Sequence, residues 1–145
     1  MRFLILRKAD ARSESGQLPG PELLAAMGRY RAALERAGVL VGGDGLHASS
    51  RGAARLRCEH GQWTVTDGPF AETKELIAGF LLIEVDSLQK ALRWARACPS
   101  MAGDGVAEME VREIISAADF PPELAGYVPQ LPWSTAAGEA TAAAV

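Results

Sequence analysis

The order of apolar and polar residues predicts a strand, a helix and a second strand in the first part of the chain. Residues 2–7 form a short run rich in Phe, Leu and Ile, which is typical of a buried strand. After a polar loop, Pro21 suits the first position of a helix whose apolar residues recur at helical spacing up to Leu34. Gly38 is placed to end this helix in a left-handed conformation. Residues 39–41 then begin a strand that a cluster of glycines closes.

The middle of the chain predicts a β-hairpin followed by a buried strand. Residues 54–59 and 62–66 both alternate at period two, and β-branched and aromatic side chains favour strands there. His60 and Gly61 supply the turn between them. Residues 79–85 are almost continuously apolar, which predicts a strand that is buried on both faces.

A second helix and a last strand complete the pattern. Asp86 is placed to cap the helix, Pro99 ends it, and residues 106–115 alternate as a strand. Without the hairpin, the order is βαββαβ, the α+β arrangement of ferredoxin-like domains. Both helices should then pack on one face of an antiparallel sheet. Because the other face would be left open and partly apolar, we expect a homodimer that covers it.

Composition narrows the classes of function. The 145 residues are 48% hydrophobic and 23% charged, which is typical of one ordinary domain with a real core. A net charge of -3 gives no basic surface for nucleic acid or for anionic lipid, and no apolar run is long enough to cross a membrane. Two cysteines without a recognisable signal peptide predict reduced thiols in a cytoplasmic protein.

One stretch between the hairpin and the next strand combines turn formers, an aromatic residue and alternating charges. It reads Asp67-Gly68-Pro69-Phe70-Ala71-Glu72-Thr73-Lys74-Glu75, and should form a rigid corner. Together with residues 1–6, 37–46, 79–85 and 110–112, this stretch resembles the DGPF subgroup of the YCII-related family. The resemblance covers residues 1–115.

The resemblance implies a dimeric α+β barrel, in which two sheets pair around a shared cavity. That superfamily includes monooxygenases, lyases and small-ligand sensors, so the fold does not fix the function. DGPF-type domains also occur beside extracytoplasmic-function sigma factors, which implies a regulatory setting. Residues 116–145 form a C-terminal extension, and we expect its Ala-rich end to be disordered.

Two residues are candidates for proton transfer. Asp67 could act as a general base or anchor a ligand at the mouth of the cavity, or it could be a turn-capping aspartate. His47 has the more suitable intrinsic pKa and follows the glycine-rich end of the second strand, but it could equally be a loop residue. For ligand binding, the candidates are Pro69, Phe70, Glu72 and Lys74, with Lys74 the one suited to an acidic ligand; a solvated charged turn is the alternative.

No metal site is expected, because Cys58-x-His60 lacks two further ligands at suitable spacing. No phosphate-binding loop or cofactor motif follows the glycine cluster either. Two classes of function remain open. One is a domain that binds a small ligand in a cavity of the homodimer. The other is a small cofactor-free lyase or hydrolase that acts on an organic acid, with Asp67 or His47 moving the proton.

Overall fold

The computed structural model describes residues 1–72, 75–99, 106–124 and 126–128. The strands are β1 (Arg2–Lys8), β2 (Leu40–Gly45), β3 (Ala54–Glu59), β4 (Gln62–Asp67), β5 (Ile77–Glu84) and β6 (Met109–Glu113). The α-helices are α1 (Ala11–Glu14), α2 (Pro21–Arg36) and α3 (Leu88–Ala97), and two 3-10 turns follow at Ala117–Asp119 and Pro122–Leu124.

Four strands form one antiparallel sheet in the order β2-β5-β1-β6, and β3 and β4 form a separate two-stranded hairpin. Without the hairpin, this is the strand order of a ferredoxin-like domain, so the predicted α+β βαββαβ fold with an inserted hairpin is confirmed. No helix among the described residues has the length and apolar character needed to span a bilayer.

The core lies between α2, α3 and one face of the sheet. Phe3, Leu34 and Ile83 are its fully buried large side chains. The hydroxyl of Tyr30 donates to the backbone oxygen of Trp94 at 2.8 Å, which joins α2 to α3. Because side chains of a strand alternate between faces, Phe3 and its neighbours at period two point to the helices, whereas the intervening residues point to the other face.

The open face is apolar at its centre, as predicted. It carries Leu4 and Leu6 of β1 opposite Leu82 and Phe80 of β5, and all four are half-buried in the single chain. The prediction that β5 is buried on both faces is therefore wrong for the described chain, because no second layer covers Phe80 and Leu82.

Three local predictions need correction. Strand β2 runs through its glycines to Gly45 instead of ending before them. Helix α3 is capped by Ser87, whose hydroxyl accepts from the N–H of Lys90, and Asp86 instead pairs with the Lys90 ammonium group. The polar loop after β1 contains α1, which Asp10 caps by accepting from the N–H of Ser13.

The chain divides into two compact units, Met1–Glu113 and Ile114–Val145. In the second unit, Asp119 accepts hydrogen bonds from the backbone N–H and the hydroxyl of Ser116, which closes the first 3-10 turn. The Ala-rich end for which disorder is predicted lies outside the described residues.

We predict that Leu34→Ala lowers the free energy of unfolding by about 2–5 kcal/mol, because it removes a fully buried side chain and leaves a cavity. Denaturant titration would measure this loss. Leu24→Ala is the matched control on the same helix, since Leu24 is 56% exposed and should change stability by less than about 0.5 kcal/mol. Equal losses in both variants would contradict the assignment of Leu34 to the core.

Candidate functional site

The corner between β4 and β5 is built around close backbone contacts. The Gly68-Pro69 peptide bond is cis, and the N–H of Gly68 donates to the backbone oxygen of Ala53 at 2.9 Å. A Cβ atom on residue 68 would lie 1.8 Å from the backbone oxygen of Ser49. Only glycine can therefore occupy this position without displacing the loop between β2 and β3.

A buried serine joins this corner to two other segments. The Ser49 hydroxyl donates to Oε2 of Glu14 at 2.5 Å and accepts from the N–H of Phe70 at 3.1 Å. The backbone N–H of Ser49 also donates to the Glu14 carboxylate, at 3.1 and 3.2 Å. Since hydrogen bonds to a carboxylate are among the stronger ones, α1, the loop after β2 and the corner are held together here.

A side chain of the hairpin formed by β3 and β4 lies over the ring of Phe70. The guanidinium carbon of Arg55 lies 4.6 Å from the ring centroid, which is the geometry of a cation–π contact. The rest of the hairpin is exposed, and Leu56, Trp63 and Val65 share one of its faces at exposures above 60%. Arg55 and Phe70 therefore help to position a hairpin that has no layer of its own to pack against.

A cavity of about 340 Å³ lies between α2 and the helix-facing side of the sheet; we call it the α2 cavity. Apolar side chains dominate its walls: Ile5, Met27, Tyr30, Leu34, Leu81 and Met109. The space exists because several wall residues lack a long side chain. Gly28 and Gly45 are examples, and a Cβ atom on either would meet no other atom within 4 Å.

A second cavity of about 380 Å³, the adjoining cavity, lies beneath the start of α2. The two cavities share five wall residues: Arg7, Met27, Gly45, Ala78 and Cys98. Exposed apolar side chains gather around the adjoining cavity: Leu18 (77% exposed), Leu24 (56%), Leu46 (51%) and Met27 (37%). The two cavities are therefore adjacent, and the walls of both are largely apolar.

The polar residues that line the two cavities differ in charge and in exposure to water. Burial raises the pKa of the Cys98 thiol, against the opposing charge of Arg7, so the thiol stays protonated at neutral pH. Burial likewise raises the pKa of Tyr30. Arg7 is therefore the charged group at the junction of the two cavities, whereas Asp44 is exposed at the wall of the α2 cavity.

The structure separates the two candidates for proton transfer. Asp67 ends β4 opposite Ala54, is exposed, and lines a shallow depression with residues of the loop before β3. His47 lines the adjoining cavity, and Nδ1 of its ring lies 3.5 Å from Nη1 of Arg51.

Three of the four candidates for ligand binding are described by the structure, and none of them lines the α2 cavity or the adjoining cavity. Pro69 and Glu72 are exposed, and Phe70 is half-buried by the contacts described above. Lys74 lies outside the described residues.

Sequence analysis missed three residues that organise this region: Arg7, Glu14 and Ser49. The signal for Arg7 is the period of β1, since Phe3, Ile5 and Arg7 share the face that meets the helices. Asp10 and Ser13 have the spacing of a capped turn, which places Glu14. Ser49 has no comparable local signal, because its partners lie 35 and 21 positions away.

No cluster of histidine, cysteine or acidic side chains suited to a metal ion occurs within the part of the chain that the structure describes. The two cysteines are free thiols, with Cys58 exposed on the hairpin.

Comparison with known proteins gives a family, a related protein and a solved structure to which the chain is similar. A segment of 62 residues is 48% identical to an uncharacterised protein of Rhizobium meliloti (strain 1021) and covers 43% of this chain. That segment spans 49% of the relative, so the chain matches about half of its length. Among solved structures, the 5-chloro-2-hydroxyhydroquinone dehydrochlorinase of Burkholderia phenoliruptrix AC1100, in complex with 2,5-dihydroxybenzoquinone, is similar at 19% identity and a TM-score of 0.45. The similarity covers 79% of this chain and 94% of that one.

The model of the YCII-related domain matches residues 1–115, which include the whole four-stranded sheet, the hairpin, the corner and both cavities. The chain therefore belongs to the YCII-related domain family.

Proposed function

We propose that this YCII-related domain binds a small molecule in the α2 cavity and the adjoining cavity. The observation that carries the proposal is the pair of adjacent, mostly apolar cavities at α2, with volumes of about 340 and 380 Å³. Pockets for small ligands generally measure about 300–1,000 Å³, with apolar walls and a few polar groups that fix orientation.

The exposed apolar side chains around the adjoining cavity support the same proposal. Leu18, Leu24 and Leu46 would each gain from contact with an apolar ligand, because each leaves about half or more of its surface in water. The start of α2 is thus poorly covered, whereas its second half is anchored in the core by Tyr30 and Leu34.

We predict that Gly28→Leu abolishes binding by placing a side chain at the wall of the α2 cavity. A library of single-ring and short-chain compounds would be screened by the rise in melting temperature that a ligand of the folded state produces. Leucine also favours helix over glycine by about 1 kcal/mol, so the variant should fold. NMR shift changes at Leu81 and Cys98 would then locate the ligand.

Ala25→Leu is the matched control, since Ala25 is an exposed residue of α2 that lines neither cavity. The Ala25→Leu variant should bind the same compounds with the same affinity as the wild-type protein. A library without any hit, or hits that Gly28→Leu leaves unchanged, would contradict binding in this space.

A homodimer that pairs the open sheet faces is part of the proposal. Leu4, Leu6, Phe80 and Leu82 form its apolar centre. At the border of this face, Glu110 accepts from Arg112 at 3.1 Å and pairs with Lys8 at 3.3 Å. Since these charges already pair within one chain, they would not have to find partners across the interface.

Light scattering at micromolar concentration is expected to give about twice the chain mass of 15.4 kDa. Leu82→Lys should shift the protein to monomer, because it places a charge at the centre of the apolar face. Leu88→Lys, at an exposed position of α3, serves as the control and should remain a dimer. A monomeric wild type would refute pairing through the sheets.

The regulatory setting beside a sigma factor and the assignment to the DGPF subgroup rest on the resemblance of the corner motif, and both remain proposals. The alternative function is a cofactor-free lyase or hydrolase that acts on a small organic acid. The position of His47 in the wall of the adjoining cavity favours this alternative, because a histidine side chain can move a proton to or from a bound molecule.

For the alternative, we predict that a compound bound in the cavities is converted at a rate that His47→Asn lowers by about 10²-fold or more. Conversion would be followed by NMR with the compounds found in the screen. Asp67→Asn should retain activity, since Asp67 lies in a separate depression, and Pro69→Ala controls for loosening of the corner. Loss of activity in Asp67→Asn alone would instead assign the proton transfer to Asp67.

A further inference from the structure

Arg7 occupies an unusual position for a charged residue. It lies on the central strand β1, on the face that carries the core residues Phe3 and Ile5, and it is paired with Gly79 of β5. Its side chain is only 23% exposed. A charge in such a place is costly unless it has partners. Arg7 lines the walls of both cavities.

The partner that Arg7 has in the chain holds it weakly. Nη2 of Arg7 lies 3.5 Å from Oδ2 of Asp10, at the outer limit of a hydrogen bond. The other oxygen of Asp10 accepts from the N–H of Ser13 at 2.7 Å, and this backbone hydrogen bond lowers the pKa of Asp10 more than the charge of Arg7 does. Among the described residues, the side chain of Arg7 makes no other hydrogen bond or ion pair, so most of its five N–H donors remain available for a ligand.

The residues around Arg7 determine which chemical class of ligand the cavities would suit. A guanidinium group matches a carboxylate through two parallel hydrogen bonds. Tyr30 and Cys98 are uncharged at neutral pH, and Ile5, Leu34 and Leu81 are apolar, so they suit a hydrocarbon body. Asp44 lies on the same wall and would repel a doubly charged group more than a singly charged one. Arg31 also lines this cavity, but its Nε atom lies 2.9 Å from Oε1 of Glu35, so it is already paired on the surface of α2.

We propose that the ligand is a small monocarboxylic acid with an apolar body, and that Arg7 binds its carboxylate at the junction of the two cavities. The apolar body extends beneath α2. This inference rests on the proposed function, because it requires that the cavities bind a ligand. It makes Arg7 the residue that determines specificity, a role that Lys74 was expected to take.

The test compares acids with neutral molecules of the same shape. Phenylacetate and hexanoate are titrated into the wild-type protein by NMR beside phenylacetamide and hexanamide. Each acid is expected to bind at least about tenfold more tightly than its amide, since a hydrogen-bonded charge pair is stronger than its neutral counterpart. Added salt should weaken binding of the acids and leave binding of the amides nearly unchanged.

Three variants assign the effect to Arg7. Arg7→Met should remove the preference for acids while retaining binding of the amides. Arg7→Lys should keep part of the preference, because it retains the charge but loses the planar fork. Arg12→Met is the matched control on α1, where Arg12 is exposed and lines neither cavity, and it should bind as the wild type does.

The outcomes separate this inference from the proposed function. If the amides bind as tightly as the acids, or if folded Arg7→Met keeps the preference, the role of Arg7 is overturned and ligand binding stands. If neither acids nor amides shift any resonance of the cavity walls, while the library screen finds other ligands, the ligand class is wrong. If the screen also finds nothing, both proposals fail. If Arg7→Met does not fold, the acid–amide comparison and the salt dependence of the wild-type protein still test whether a positive charge binds the carboxylate.

Discussion

Burial on a single face of the sheet is the constraint on which the rest of this structure depends. Phe3, Leu34 and Ile83 are fully buried because α2 and α3 both pack on the same side of the four strands. This layer is complete near the middle of the sheet, where large side chains face one another. It is incomplete towards the end of β2 and the start of β5, where glycines and alanine replace them. The cavities are a consequence of that local loss of side-chain volume.

The same one-sided packing leaves two apolar surfaces uncovered in the single chain. One is the open sheet face around Leu82, and the other is the exposed face of the hairpin around Trp63. A two-stranded hairpin is marginally stable by itself, so its attachment through Asp67, Gly68 and the Arg55–Phe70 contact matters for its position. Ser49 and Glu14 stabilise that attachment from the other side.

Charge is distributed in a way that supports recognition of an acid. The chain as a whole is slightly acidic, with a net charge of -3, so an anion gains nothing from the overall charge. Arg7 supplies a local positive charge in a poorly hydrated position, where electrostatic interactions are stronger than in water. For the acid proposed above, local placement of one guanidinium group would matter more for binding than the total charge of the protein does.

The sequence by itself determined the order of the main strands and the two long helices, and through this order the ferredoxin-like fold. Those features follow from periodicity and from local chemistry, such as Pro21 at the start of α2 and the left-handed Gly38 after its end. The corner at residues 67–70 was also evident as a rigid turn, although its pairing with Ser49 was not.

Only the tertiary structure decided where the cavities lie. Asp67 and His47 are both polar loop residues in the sequence, and only folding places His47 at a cavity and Asp67 outside it. Glu14, Ser49 and Phe70 meet because three segments that are distant in sequence converge, and no local pattern encodes such contacts. The start of α3 could not be located from the sequence either, since Ser87 caps this helix and Asp86 does not. Both residue types favour the N-cap position, and only the path of the backbone into the helix decides between two such neighbours.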